Sequence, residues 1–272
     1  MRKAIQENSI MHPCYNCNQK KLVRVHIPLV MQCNMKCNYC NRKIGCINEN
    51  RPGVTRQILS EEEIENYFES AISKYKEKLR IVGFAGPGEV LTDIEKLKKV
   101  IKIVSKKEGI EMCLATNGLL LPFYAEELLK LGVNYFTVTM NAYTIETAKQ
   151  IYSYIEYQGE RIYGENAVRI LLENQKEGIR KICKYGGICK INVVAINGIN
   201  VDEIKDIMEF GARNGAYIGN IIPLLLVDGT SFSEHNLMSE LEIDKLRCSM
   251  EKKLRQMKHC KRCRADAVGD LQ

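Results

Sequence analysis

The chain reads as an α/β protein built on a partial (β/α)6 barrel with cysteine-bearing extensions at both ends, and two observations predict this. Six apolar, β-branched runs alternate with helical patterns, several of which open on capping residues. Polar or glycine-rich motifs directly follow successive runs, at the strand ends where βα-barrels assemble their sites. An open doubly wound sheet is the competing architecture, and the placement of these motifs favours the barrel.

The runs, in order, are LVRVHIPLV (22–30), RIVGFAG (80–86), IEMCLAT (110–116), NYFTVTM (134–140), KINVVAI (190–196) and YIGNIIPLLLV (217–227). Helix starts are expected at Ser60 with Glu63, Thr92 with Glu95, Thr144 with Thr147 and Asn200 with Glu203. Parallel strands need crossover helices, and repeated right-handed crossovers curl such a sheet. This divides the chain into an N-terminal extension (1–21), the barrel (22–228) and a C-terminal helix with a cysteine-bearing tail (229–272).

A chain of 272 residues with 45% hydrophobic content can fill a substantial core. Its 12 cysteines, with no charged-then-apolar leader at the N-terminus, point to metal thiolates in a cytoplasmic, oxygen-sensitive protein rather than to disulfides. IIPLLLV (221–227) is too short to cross a bilayer, so no membrane partner is expected. The net charge of +7 is spread over many helices, which argues against a nucleic-acid partner. A denser basic group, Lys252, Lys253, Arg255, Lys258, Lys261, Arg262 and Arg264, surrounds the last cysteines. It reads equally as a solvated helix face and as compensation for anionic clusters or an acidic partner.

Chemistry concentrates after the first run, in CNMKCNYC. Cys33, Cys37 and Cys40, spaced C-x3-C-x2-C, supply three thiolates that can wrap one face of a 4Fe-4S cluster and leave its fourth iron open. A tetrahedral zinc site would ask for a fourth ligand at finger spacing, and none follows. In AGPGEV (85–90), Gly86 and Gly88 let backbone approach a ligand, and Glu89 puts a carboxylate at the same rim. Asn117 and Gly118 read as a left-handed turn or as cofactor contacts, Tyr39 as a packing or a cofactor-facing aromatic, and Asn141 as a further polar contact. Free cysteines are often buried, so Cys113, in an apolar strand, has a core reading. Cys260 and Cys263, in a basic polar tail, are poor core candidates; Cys14 and Cys17 form a second C-x2-C that could pair with them as a zinc ribbon. Cys183, Cys189 and Cys248 read as packing residues.

The C-x3-C-x2-C spacing, with an aromatic before the last cysteine, resembles the signature of radical S-adenosylmethionine (radical SAM) enzymes. More specifically, CNMKCNYCNRKIGCINENRPGV resembles the NifB family, as do MHPC (11–14), AGPGEVL, CLATNGLLLP (113–122), TVTMNA (137–142) with IYSYI, NIIPLL (220–225) and HCKRCRADAVG (259–269). The likeness runs from about residue 11 to the C-terminus, with GTSFSEHNLMSE (229–240) and the MNAY turn departing from it. It implies a short form without the carrier domain that some members add.

The resemblance implies a maturase that fuses two 4Fe-4S precursor clusters into the eight-iron core of the nitrogenase cofactor. One S-adenosyl-L-methionine supplies the methyl group that becomes carbide, and another supplies the radical that abstracts hydrogen from it. On this reading Cys33, Cys37 and Cys40 hold the catalytic cluster, and Tyr39, Gly86, Gly88, Glu89, Asn117 and Asn141 contact S-adenosyl-L-methionine. Cys46 and Cys113, with one histidine, hold one precursor cluster, and Cys14, Cys260 and Cys263 hold the other. His12, in HPC, is the first choice of histidine and His26, in VHIPLV, the second. Glu49 and Arg51 are orienting or proton-handling groups, or a loop ion pair. The implied partners are iron–sulfur cluster donors, a reductant protein such as a ferredoxin, and cofactor carrier or scaffold proteins. Two alternatives remain: a radical SAM enzyme with an auxiliary cluster that modifies a peptide or RNA, and a non-enzymatic iron–sulfur or zinc-ribbon module.

Overall fold

A computed structural model describes residues 10–19, 21–48, 57–260 and 262–270. The chain runs β1 (Val23–Ile27), β2 (Met35–Cys37), α1 (Glu61–Tyr75), β3 (Leu79–Phe84), α2 (Ile94–Ser105), β4 (Glu111–Thr116), α3 (Leu121–Lys130), β5 (Val133–Thr139) and α4 (Ile145–Ile151). It continues through β6 (Tyr152–Tyr157), β7 (Glu160–Tyr163), α5 (Gly164–Lys184), β8 (Ile188–Ala195), α6 (Ile204–Asn214), β9 (Ile218–Pro223), α7 (Glu240–Met250) and β10 (Val268–Gly269). Strands β1, β3, β4, β5, β8 and β9 are parallel and stand side by side in chain order. A doubly wound sheet would reverse its order at a switch point, so this order is that of the partial barrel.

Helix caps follow local chemistry. Ser60 and Glu63 form the expected capping box on α1, and the Thr144 hydroxyl accepts from Thr147 N–H on α4. At α2 the cap moves one residue: Thr92 donates its hydroxyl to the Glu89 carbonyl, and Asp93 accepts from Lys96 N–H instead. Asn200 does not cap, because its side chain is spent on Ile196 N–H and on the Asn141 and Val194 carbonyls. Glu203 instead accepts from Tyr143 N–H, Thr144 N–H and the hydroxyls of Thr144 and Thr147, fastening α4 to α6.

Beyond the six expected strands, β2, β6 and β7 form a separate antiparallel sheet. A three-residue strand carries no readable period. The β6–β7 hairpin turns on Gln158 and Gly159, both with positive φ (54° and 83°), the primed turn geometry that matches strand twist. This small sheet carries Cys37 on β2 and so braces the cysteine loop.

Alternation along the barrel strands sets what lies inside. Val23, Val25 and Ile27 pack into the core beneath the helices, whereas Arg24 and His26 point the other way. Cys113, Ala115, Thr137, Lys190, Asn192 and Asn220 join them on the inner face. Parallel strands covered on both sides are usually apolar on both. A polar inner face leaves a lined cavity where a packed core would otherwise lie.

The C-terminal tail closes the open side of the barrel. Gly219 N–H donates to the Arg255 carbonyl (2.7 Å) and Met257 N–H to the Gly219 carbonyl (2.8 Å), extending the sheet past β9. Farther along, β10 pairs antiparallel with β1, in the register Arg24 opposite Gly269. The segment between these two anchors, with Cys260 and Cys263, therefore bridges from one edge of the partial barrel to the other. His259 Nε2 lies 2.8 Å from the Pro13 carbonyl, and Tyr15, fully buried, donates its hydroxyl to the Phe136 carbonyl, so the N-terminal segment is held at the same place.

Candidate active site

Two cavities meet inside the barrel. The first, about 590 Å³, is lined by Cys33, Cys37, Cys40 and Cys46, by Ala85 to Glu89, and by Ala115 to Asn117. The second, about 660 Å³, is lined by His12, Cys14, His26, Cys113, Lys190, Asn192, Asn220, Cys260 and Cys263. Asn48, Ala85 and Ala115 line both, so they form a shared wall.

The first cavity is built by close backbone packing. Gly88 N–H donates to the Val30 carbonyl (2.9 Å) and Glu89 N–H to the Gln32 carbonyl (2.7 Å), tying the AGPGE turn to the chain just before Cys33. A Cβ on Gly88 would lie 2.0 Å from the Gln32 carbonyl oxygen, and one on Gly86 would lie 2.7 Å from that of Val30. Glu89 is buried, and its carboxylate accepts from Leu91 N–H, the Thr116 hydroxyl (2.7 Å) and Asn117 N–H (2.6 Å). It thus joins the ends of β3 and β4 beneath the cysteines. Asn117 Nδ2 donates to Asn34 Oδ1 (2.7 Å) and reaches Cys33 Sγ (3.8 Å), and Gly118 takes the left-handed φ of 85° expected for that turn.

Two further expected cofactor contacts, Tyr39 and Asn141, belong to one buried hydrogen-bond network. Tyr39 is fully buried, and its hydroxyl donates to Asn48 Oδ1 (2.7 Å) and accepts from Asn141 Nδ2 (2.5 Å). Asn141 is fully buried too: its Oδ1 accepts from Val194 N–H and its carbonyl from Asn200 Nδ2. Neither residue lines these two cavities, and their side chains join the cysteine loop to the ends of β5 and β8. Glu49 and Arg51 lie outside the described residues. Arg42, which the sequence reading did not single out, lines the first cavity with its Nη2 on the Met35 carbonyl and a buried Nε that has no partner among the described residues.

The residues fit a cluster with an open iron. Three soft donors, Cys33, Cys37 and Cys40, line the cavity together with the glycine turn, which brings backbone rather than side chains to that space. Burial, with Glu89 next in effect, pushes the Cys33 thiol up to about 12, and burial raises Cys37, Cys40 and Cys46 as well. Without a metal these sulfurs hold their protons, so loading releases them.

Cys46 and Cys113 line different cavities. Cys46 N–H is held on the Pro87 carbonyl (2.7 Å) and the residue lines the first cavity, whereas Cys113 lines the second with Cys14, Cys260 and Cys263. Cys17 is exposed and turned toward Asn18, away from that group, which leaves the zinc-ribbon pairing without geometry. Among the described residues no three His, Cys, Asp or Glu side chains converge tightly enough for a single metal ion. Cys183 and Cys189 are core residues as expected, but Cys248 is exposed on α7.

The two candidate histidines differ in tautomer. His12 Nδ1 accepts from Cys14 N–H (3.1 Å), so the neutral ring carries its proton on Nε2, which is buried without a partner among the described residues. His26 Nδ1 lies 3.0 Å from the Arg264 carbonyl, which can only accept, so its Nε2 keeps the lone pair. A Cβ on Gly83 would lie 3.1 Å from His26 Nε2 and 3.2 Å from Cys113 Sγ, so the imidazole and the thiol close on one point. Burial, then Arg24, lowers His26 to about 3 and keeps it neutral.

A Radical SAM superfamily model matches residues 27–211. The FeMo cofactor biosynthesis protein NifB of Chlorobaculum tepidum is 37% identical over 95% of this chain and 61% of its own length, and that of Klebsiella pneumoniae 36% over 98% and 58%. The chain therefore spans about three-fifths of these bacterial relatives. The NifB of Methanocaldococcus jannaschii is 38% identical over 95% of this chain and 86% of its own length. Among solved structures, methylornithine synthase matches with a TM-score of 0.59 at 16% identity, over 90% of this chain and 67% of its own. Streptococcus suis SuiB bound to S-adenosylmethionine matches at 0.61 and 15%, over 86% and 48%; both likenesses carry the fold alone. With a superfamily match over residues 27–211 and a NifB relative 38% identical and covered over 86% of its own length, the chain belongs to the NifB family of radical SAM proteins.

Proposed function

We propose that this chain carries out the core-building step of nitrogenase cofactor synthesis, joining two 4Fe-4S precursor clusters, its substrates, around a carbide drawn from S-adenosyl-L-methionine. The observation that carries this reading is the pair of abutting cavities, one walled by the C-x3-C-x2-C motif and the other by thiols and imidazoles gathered from both ends of the chain.

Cys33, Cys37 and Cys40 would hold the catalytic cluster. Bound there, a 4Fe-4S cluster and S-adenosyl-L-methionine supply reductive cleavage and a carbon-centred radical. Asn117 Nδ2, beside Cys33, and the buried Arg42 Nε are donors for the polar end of the cofactor. The glycine turn excludes water from that wall by backbone packing.

In the second cavity Cys14, Cys260 and Cys263 would hold one precursor cluster. Cys113 and a histidine would hold the other, with Cys46 reaching from the first cavity beside the shared wall. Tautomer favours His26 over His12 as that ligand: its Nδ1–H is fixed by a carbonyl, the arrangement that metal-ligating histidines use, and its Nε2 and Cys113 Sγ both lie near Gly83. The partners proposed are cluster donors, a ferredoxin-like reductant, and a carrier or scaffold that accepts the product.

The test is anaerobic reconstitution with iron, sulfide and S-adenosyl-L-methionine, counting iron per chain and adding the product to cofactor-free nitrogenase. The expected result is iron for three clusters and a product that restores nitrogenase. SAM cleavage with no transferable product, stimulated instead by a peptide or an RNA, would overturn the maturase reading.

A further inference from the structure

Arg24 is an inward-facing residue of β1 and is 4% exposed. A guanidinium is always charged, and burying one is strongly disfavoured unless an anion faces it. Among the described residues its side-chain partners are sulfurs: Nη2 donates to Cys263 Sγ at 2.7 Å and Nη1 to Cys14 Sγ at 3.7 Å, while Nε is buried with no partner. A second buried cation, Lys190, lines the same cavity. Neutral thiols are poor company for the buried Arg24 guanidinium; thiolates on an anionic iron–sulfur cluster are good company.

The position of Arg24 adds a second observation. Cys14 belongs to the N-terminal segment and Cys263 to the tail, 249 residues apart in sequence, and among the described residues neither lies in a strand. Arg24 sits between them on β1, and β10, which follows Cys263, pairs with β1 at Arg24 itself. One residue therefore meets both ends of the chain where they reach the cavity.

We propose that Arg24 is a positioning residue for an anionic iron–sulfur substrate in the second cavity, joining Cys14 to Cys263 and balancing the charge of the cluster those thiolates hold. This rests on the reading of that cavity as a precursor-cluster site. N–H···S bonds and a fixed positive charge favour the reduced form of a cluster, so Arg24 also sets its reduction potential.

The experiment compares the full-length chain with Arg24→Gln, Arg24→Lys and the double variant Cys14→Ala/Cys263→Ala after anaerobic reconstitution. Iron is counted per chain, and reduction is followed by EPR across a potential titration; circular dichroism controls for folding. Arg24→Gln is expected to lose up to one cluster's complement of iron and to shift the potential of any cluster retained to more negative values. Arg24→Lys, which keeps the charge but not the two-pronged donor, is expected to recover most of the potential and part of the iron. If the cysteine double variant loses that iron while Arg24→Gln keeps it at an unshifted potential, the role of Arg24 is overturned. If the double variant keeps the iron, the cluster-site reading itself fails.

Discussion

His26 and Gly88 show how single residues commit the site. His26 is neutral in the fold, with a pKa lowered to about 3 from the usual 6.5. A depressed value means stability that is full above about 6.5 and is lost as pH falls toward about 3, because the unfolded chain takes up the proton first. The metal-free protein should therefore melt at lower temperature as pH drops through that window, and His26→Gln should flatten the slope; parallel slopes by circular dichroism would refute the assignment. Gly88 has no such titration, only lack of space. Gly88→Ala would force a Cβ against the Gln32 and Met31 carbonyls, at 2.0 and 2.5 Å, with a cost of at least ~1–3 kcal/mol. Reconstituted Gly88→Ala should lose the SAM-responsive cluster signal; full iron at wild-type stability would count against this packing role. The tautomers of His12 and His26 were not legible in the sequence, since each depends on a backbone group brought by folding: Cys14 N–H for one, the distant Arg264 carbonyl for the other.

At the scale of elements, caps and alternation were readable, and their exceptions have physical causes. Ser60 and Thr144 cap as the local pattern says, Thr144 accepting from Thr147 N–H while its hydroxyl donates to Glu203. Thr92 and Asn200 do not, because the Glu89 carbonyl and the β8 edge claim their side chains. Glu203 then serves α4 from a distance, accepting from four donors at its start. Glu203→Ala should cost about 1–2 kcal/mol and speed amide exchange in α4 ahead of α6. Equal protection of both helices in the variant, read by hydrogen exchange, would show that α4 does not depend on this carboxylate. Signals for the inner face were present and unused: Arg24 with His26, Thr137 with Thr139 and Lys190 with Asn192 are polar pairs two apart inside apolar runs. In a strand that spacing places both on one face.

For the whole molecule, the tail is what completes the second cavity. It is anchored at β9 through Arg255 and Met257 and at β1 through β10, with Cys260 and Cys263 between. A chain truncated after Arg264 loses the β1 anchor. It is expected to keep the first cavity's cluster and to lose iron from the second, which iron analysis with SAM-dependent EPR would resolve; retention of all iron would show that the β9 anchor suffices. Cluster loading should also raise the melting temperature, since the folded chain alone presents the assembled ligands. Among the described residues no helix is long and apolar enough to cross a membrane.

Local and periodic features were determined by the sequence itself: six parallel strands in order, the three-thiolate motif after the first, the glycine turn after the second, and enough spaced motifs to reveal the family. Each rests on neighbours within a few residues, where spacing alone sets geometry. Tertiary structure decided which cysteine joins which cavity, that Tyr39 and Asn141 bond to each other and to Asn48, and that Arg24 meets Cys14 and Cys263. Those outcomes depend on closing the barrel, which brings residue 14 and residue 263 to one strand; sequence distance carries no information about that closure.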